Sequence, residues 1–230
     1  MPANKYYGSG FPYRKDKKLP GKLIVVEGTD GVGRSTQVEL LKRSLEKNGF
    51  AVSNTGLRRS KLTQPGLDEA KRGNTLTPLT NSLFYATDFA DRLENNIIPA
   101  LRAGFIVLSD RYFYSIIARD VVRGLDPKWA RDVYGFALIP DIILYLKADI
   151  DTLITRIVHG RGFNYWEAGM DIMNEDNLFD SFKKYQACMI NQFDSMAKEF
   201  NFQTVDANLS VSRTQQEIMQ YIQPILDEYK

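Results

Sequence analysis

Apolar residues arrive along this chain in two alternating rhythms. Short β-rich runs, KLIVV at 22–26, FAVSNT at 50–55, FIVLS at 105–109, DIILYL at 141–146 and NFQTVD at 201–206, read as strands. Between them the spacing turns helical. Val38, Leu41 and Leu45 share a face over 34–48, with Gly49 as the stop. Leu83, Phe84, Ala90, Leu93, Ile97 and Leu101 run through one long helix over 80–102, which Pro99 tightens near its end and Gly104 closes. Further helices are expected after the third strand, after the Asp126–Pro127 start, and over 148–158, 178–200 and 211–230. Residues 56–74 are polar and punctuated, so they read as a loop with room for a short helix; 159–177 reads as irregular. Strands that are apolar throughout and alternate with helices predict an α/β fold, a parallel sheet with helices on both faces. Ligands of such sheets lie at the carboxyl ends of strands, which points to the exits of strands one and three.

Composition narrows the class. The chain has 230 residues, 43% hydrophobic and 25% charged, enough for one domain over 21–230. The net charge of +2 is too balanced for a protein that coats nucleic acid. One cysteine, Cys188, and one histidine, His159, exclude an internal disulfide and a zinc cluster, so the reducing cytoplasm is expected. No apolar run reaches membrane-spanning length and the first residues lack a secretory h-region, so no membrane association is expected. Residues 1–20 form a basic arm with Gly, Pro and Tyr; it reads either as an anion-binding arm or, more simply, as a tail that packs its aromatics on the domain.

The densest chemistry follows the first strand. GTDGVGRS, Gly28 to Ser35, fits G-x-x-x-x-G-K-[ST] everywhere except Arg34. Backbone N–H groups of Gly28, Thr29, Asp30, Gly31, Val32 and Gly33 are expected to turn around phosphate oxygens. The next helix offers its positive end, with Ser35 and Thr36 at its start. Ser35 is the expected Mg²⁺ hydroxyl. A guanidinium keeps the charge of the usual lysine but is wider and forked. Arg34 therefore reads as a tolerated substitute, as a fork retuned for another substrate, or as the mark of a loop that binds but transfers poorly.

With VVEGTDGVGRSTQ, FYATDF, IIPAL, SDRY and VDA, the chain resembles the thymidylate kinases from about Lys22 onward. The resemblance implies a P-loop fold with five parallel strands and a lid, here about 159–175. It also implies transfer of the γ-phosphoryl of ATP to dTMP with Mg²⁺, commonly in a homodimer. It implies that Asp30 lies near the substrate sugar, that Asp110 supports the metal, and that Arg111 holds the acceptor phosphate facing the phosphate loop. Gly31 stands where one branch of the family has arginine, which shifts the expected catalytic arginine to the lid, to Arg161 first and Arg156 next. Arg34, Asp30, Arg111 and Arg161 are thus the expected catalytic set, and Ser35 and Asp110 the expected metal set.

Departures gather in the expected acceptor pocket, made of Asp30, Arg58, Phe84, Arg92, Arg111, Ile116 and Arg119. Where the family usually has Asn or Gln and then an aromatic, this chain has Ile116 and Arg119. Arg92 follows Phe89 by nearly a turn, and LRRSKLTQPG, with Arg58 and Arg59, replaces the usual R-E-P-G-G. Two other readings therefore stand beside a dTMP kinase: a nucleotide-binding regulatory or scaffold protein on the same fold, and a kinase of a different phosphorylated small molecule.

Overall fold

A computed structural model describes residues 6–13, 19–73, 75–160 and 162–229. β1 (Lys22–Gly28) is buried along its length after Lys22, which accounts for its unbroken apolar run. It leads through the glycine loop into α1 (Arg34–Lys47), followed by β2 (Val52–Gly56), α2 (Gln64–Arg72) and α3 (Pro78–Arg92). After α4 (Ile98–Arg102) come β3 (Ile106–Asp110), α5 (Phe113–Val122) and α6 (Pro127–Asp132). The chain ends with β4 (Ile142–Lys147), α7 (Ile150–Val158), α8 (Leu178–Glu199), β5 (Gln203–Asp206) and α9 (Val211–Asp227). The five strands form one parallel sheet in the order β2-β3-β1-β4-β5, the α/β architecture expected from the sequence. Among the described residues, no helix is long and apolar enough to cross a membrane.

The chain divides into two compact units, Met1–Val25 with Lys42–Ile142, and Val26–Leu41 with Ile143–Lys230. In the first, β2 and β3 run in register from Val52↔Ile106 to Gly56↔Asp110. Its core is aromatic: Phe89, Tyr112, Phe113 and Tyr134 are all fully buried, with Phe89 and Tyr112 edge to face at 4.8 Å. The described part of the arm adheres to this unit. Tyr6 bridges to Leu138, the Tyr7 N–H donates to the Ala137 carbonyl at 2.8 Å, and the Tyr7 ring meets Phe113 at 5.0 Å. All five of the arm's basic residues, Lys5, Arg14, Lys15, Lys17 and Lys18, lie outside the described residues.

The basic stretch after β2 contains the short helix for which its pattern left room, α2, with Pro65 in its first turn, where a missing N–H costs nothing. One element differs from the sequence expectation. The long helix expected over 80–102 starts earlier, at Pro78, and is interrupted by a π-helical turn, Leu93–Ile97, in which the Ile98 N–H reaches back five residues to Leu93. Pro99 is the physical reason: in a regular helix its ring would collide with the carbonyl of Asn95, and the widened turn relieves that clash.

In the second unit, β4 and β5 pair from Leu144↔Gln203 to Lys147↔Asp206. Leu153, Phe182, Phe193, Met196, Ile218 and Ile222 are fully buried around them. The stretch expected to act as a lid folds into turns that dock on α8. Phe163 packs against Phe179 and Phe182, the Ala168 carbonyl accepts from Ser181 Oγ at 2.7 Å, and the Glu167 carbonyl accepts from Gln186 Nε2 at 2.9 Å. Arg161, the expected lid arginine, lies outside the described residues.

Candidate active site

In the second unit the glycine loop is held by two arginines. Arg34 Nη1 donates to the Gly28 carbonyl at 2.7 Å and also to the Thr29 carbonyl, so its guanidinium spans the loop from the last residue to the first. Arg156 in α7 donates through Nη1 to the Val32 carbonyl at 3.0 Å and through Nη2 to the Ala207 carbonyl at 2.7 Å, tying the loop to the turn after β5. The carbonyls of Gly28, Thr29 and Val32 are thus taken up by arginines.

The glycines have separate causes. A Cβ on Gly28 would lie 2.6 Å from the Leu146 carbonyl, so β4 itself excludes a side chain there. At Gly31 φ is +82°, and a Cβ would come within 2.8 Å of Ile157 Cγ1. A side chain at position 31 would need both this strained φ and a shift of Ile157. Asp30 is buried, whereas Ser35 and Thr36 are exposed at the start of α1.

In the first unit, the exit of β3 is strained and braced. Arg111 has φ 72°, a left-handed conformation that costs an L-residue roughly 1–2 kcal/mol. Ser109 Oγ donates to the Arg111 carbonyl at 2.6 Å, and Arg111 Nη1 donates to Ser115 Oγ at 3.0 Å. The two serines hold a buried guanidinium at the strand tip, next to the half-buried Asp110. Arg58, after β2, is also left-handed, at φ 59°. Its N–H donates to Asp88 Oδ2 at 3.1 Å and its guanidinium pairs with Asp68 of α2.

Asp88 organises this loop: it also accepts the Ser60 N–H at 2.9 Å and Arg92 Nε at 2.9 Å. Arg92 is not a solvent-facing helix charge; it is 1% exposed and paired within α3. Ile116 is 1% exposed in α5. Arg119 is half-buried and acts electrostatically on Tyr85 and Lys71. Lys71 Nζ donates to the Tyr85 hydroxyl at 2.8 Å. Burial pushes Lys71 down from the usual lysine range, with Arg119 and Arg58 adding to the effect and Tyr85 opposing it. Burial works to raise Tyr85, but Lys71, Arg119 and Arg58 outweigh it and the phenol is lowered. Ser82 Oγ donates to Asp120 at 2.5 Å, and burial pushes that carboxyl up to about 6.

A family model described as thymidylate kinase matches residues 26–218. The chain belongs to the thymidylate kinase family. It is 40% identical over 213 residues to "Probable thymidylate kinase 2" of Saccharolobus solfataricus, covering 92% of this chain and 98% of that protein. It is 30% identical over 168 residues to "Thymidylate kinase" of Brachyspira hyodysenteriae, covering 72% and 83% of the two chains. With "Thymidylate kinase" of Desulfotalea psychrophila it shares 28% over 215 residues, covering 90% and 96%.

This member of the thymidylate kinase family carries a glycine loop after β1 and an arginine at the exit of β3. Sequence reasoning gave no role to Lys71, Tyr85, Asp88 or Asp120. FYATDF holds Tyr85 and Asp88, and the spacing of four residues from Asp88 to Arg92 was a further signal. Lys71 lies in the stretch read as a loop with room for a short helix, and nothing in the sequence placed it beside α3.

Proposed function

We infer that the protein transfers the γ-phosphoryl group of ATP to dTMP, giving dTDP and ADP. Membership of the thymidylate kinase family supports the reaction. The observation that carries the reading onto this chain is the glycine loop, with three carbonyls held by Arg34 and Arg156. Such a loop binds the ATP phosphates through backbone N–H groups, and Arg34 keeps a positive charge beside them. Arg111, braced by Ser109 and Ser115, takes the acceptor phosphate, and Asp30 lies near the acceptor sugar. Neutralising both anions is the main catalytic task, because phosphoryl transfer needs positioning and charge rather than a covalent intermediate.

Mg²⁺ is part of the same reading. Such an ion is bound through one or two protein oxygens, with water and substrate phosphates completing the shell. The exposed Ser35 hydroxyl and the Asp110 carboxylate are the oxygens assigned to it. Bound Mg²⁺ supplies charge neutralisation on the phosphates. A homodimer in the cytoplasm completes the proposal, and sedimentation of the purified protein tests the dimer.

The decisive experiment is coupled ADP release with ATP and Mg²⁺ against dTMP, dUMP, other nucleoside monophosphates and no acceptor. Stimulation greatest with dTMP is expected. ATP binding without stimulation by any acceptor would overturn the reading in favour of a nucleotide-binding regulator.

A further inference from the structure

Residues 6–11 of the arm precede the stretch that the family model matches, and they dock on the segment between α6 and β4. The Tyr7 N–H donates to the Ala137 carbonyl at 2.8 Å, and the N–H groups of Gly8 and Gly10 both donate to the Gly135 carbonyl, at 2.9 and 3.0 Å. The fit is specific. A Cβ on Gly8 would lie 2.8 Å from Gly135 Cα, so two backbones touch where a side chain would part them. Gly10 has φ +80°, and the turn it allows is accompanied by an edge-to-face contact of Tyr6 with Phe11 at 5.7 Å.

This dock reaches the two residues that follow Arg111. Phe113, which opens α5, is fully buried; its ring packs on Phe89 at 5.9 Å and on Tyr134 at 5.6 Å, and Tyr7 of the arm meets it at 5.0 Å. Tyr112 donates its hydroxyl to the Leu138 carbonyl at 3.1 Å, and Leu138 is the residue that Tyr6 bridges. Arg111 itself is held at φ 72°, a conformation that an L-residue keeps only where its neighbours over-determine it. Tyr112, the N-cap of α5, gives that helix no side-chain cap, so its start leans on the packing of Phe113.

We propose that the arm is a positioning element of the acceptor site, with Tyr7 as its positioning residue: it clamps Tyr112 and Phe113 and so keeps the Arg111 guanidinium aligned on the acceptor phosphate. This rests on Arg111 taking that phosphate in a nucleoside monophosphate kinase. Ser109 and Ser115 brace Arg111 directly, and the arm fixes the two residues on its C-terminal side. With the arm lifted, Phe113 loses an aromatic neighbour and Leu138 loses its bridge. Arg111 then spends part of its time in unstrained conformations, and the acceptor meets a smaller competent fraction of the protein. Saturating acceptor selects the competent state again, so the cost falls on KM and not on kcat.

Two variants detach the arm by different routes: Tyr7→Ala removes the ring, and Gly8→Ala sets a Cβ against the Gly135 backbone. Tyr7→Phe keeps the ring, and Tyr13→Ala trims an exposed residue of the same arm as a control. Thermal melts confirm that each folds. In ADP release with ATP and Mg²⁺, Tyr7→Ala and Gly8→Ala are expected to raise the KM for dTMP about tenfold, with the KM for ATP unchanged and kcat within about twofold. Tyr7→Phe and Tyr13→Ala are expected to behave as wild type. Amide hydrogen exchange is expected to quicken at 111–116 in the two detaching variants and not at 28–35. Variants that melt earlier yet keep the wild-type KM for dTMP would reduce the arm to a stabilising tail and overturn the proposal, as would a KM that rises equally for both substrates. If the wild type releases no ADP with any nucleoside monophosphate, the kinase reading fails, and exchange at 111–116 alone decides whether the arm clamps Arg111: quickened in Tyr7→Ala, the clamp stands; unchanged, it falls.

Discussion

Removing Asp88 tests how the loop after β2 is held. Its carboxylate, fully buried, accepts Arg92 Nε at 2.9 Å, the Ser60 N–H at 2.9 Å and the Arg58 N–H at 3.1 Å. Asp88→Ala strands a guanidinium that is 1% exposed and leaves a buried N–H at Ser60 without its acceptor. Breaking a buried ion pair from one side costs about 3–5 kcal/mol, a large share of a domain's stability. Arg92→Met is milder, about 1–2 kcal/mol, because Asp88 keeps both backbone donors. The double variant no longer buries an unpaired charge and is expected to be more stable than Asp88→Ala alone. Denaturant unfolding of all four proteins at pH 7 gives the cycle. Equal costs for the two single variants, or a double variant less stable than Asp88→Ala, would refute the argument that charge burial dominates. Because the loop positions Arg58 at a left-handed φ, the KM for the acceptor is expected to rise with little change in that for ATP.

Two further outcomes follow from the site. Arg34→Lys keeps a charge beside the phosphates and is expected to hold kcat within about tenfold, whereas Arg34→Met removes the charge and both carbonyl contacts and lowers kcat on the order of 100-fold. Steady-state kinetics decide it, and an unimpaired Arg34→Met would show that the loop does not use the guanidinium. The buried Asp120 makes stability fall as pH rises: with its carboxyl raised to about 6, the folded state holds the proton more tightly than the unfolded chain between about pH 4 and 6. The penalty, absent below that window and complete above it, is about 3 kcal/mol. Asp120→Asn, which still accepts from Ser82, is expected to flatten this slope in denaturation at a series of pH values.

The phosphate loop was legible because its information is local. Eight consecutive residues after a strand and before a helix carry the glycines, the hydroxyls and the charge, and the unbroken apolar runs dictate the parallel sheet around them. Even so, the sequence alone did not give the reasons: that β4 bars a side chain at Gly28, that Ile157 crowds position 31, and that Arg34 turns back on the loop's own carbonyls.

The acceptor side was less legible, since its chemistry is made by partners far apart in the chain. Arg58, Arg92 and Arg119 looked alike as sequence letters. Folding pairs Arg58 with Asp68, buries Arg92 on Asp88, and brings Arg119 into the field of a Lys71–Tyr85 pair. Local pattern determined the sheet and the loop, because propensity and spacing act over a few residues. Which charges are satisfied within the protein, and which act on a shared phenol, was decided only when α2, α3 and α5 packed together, because burial and hydrogen-bond partnership are properties of three-dimensional neighbours.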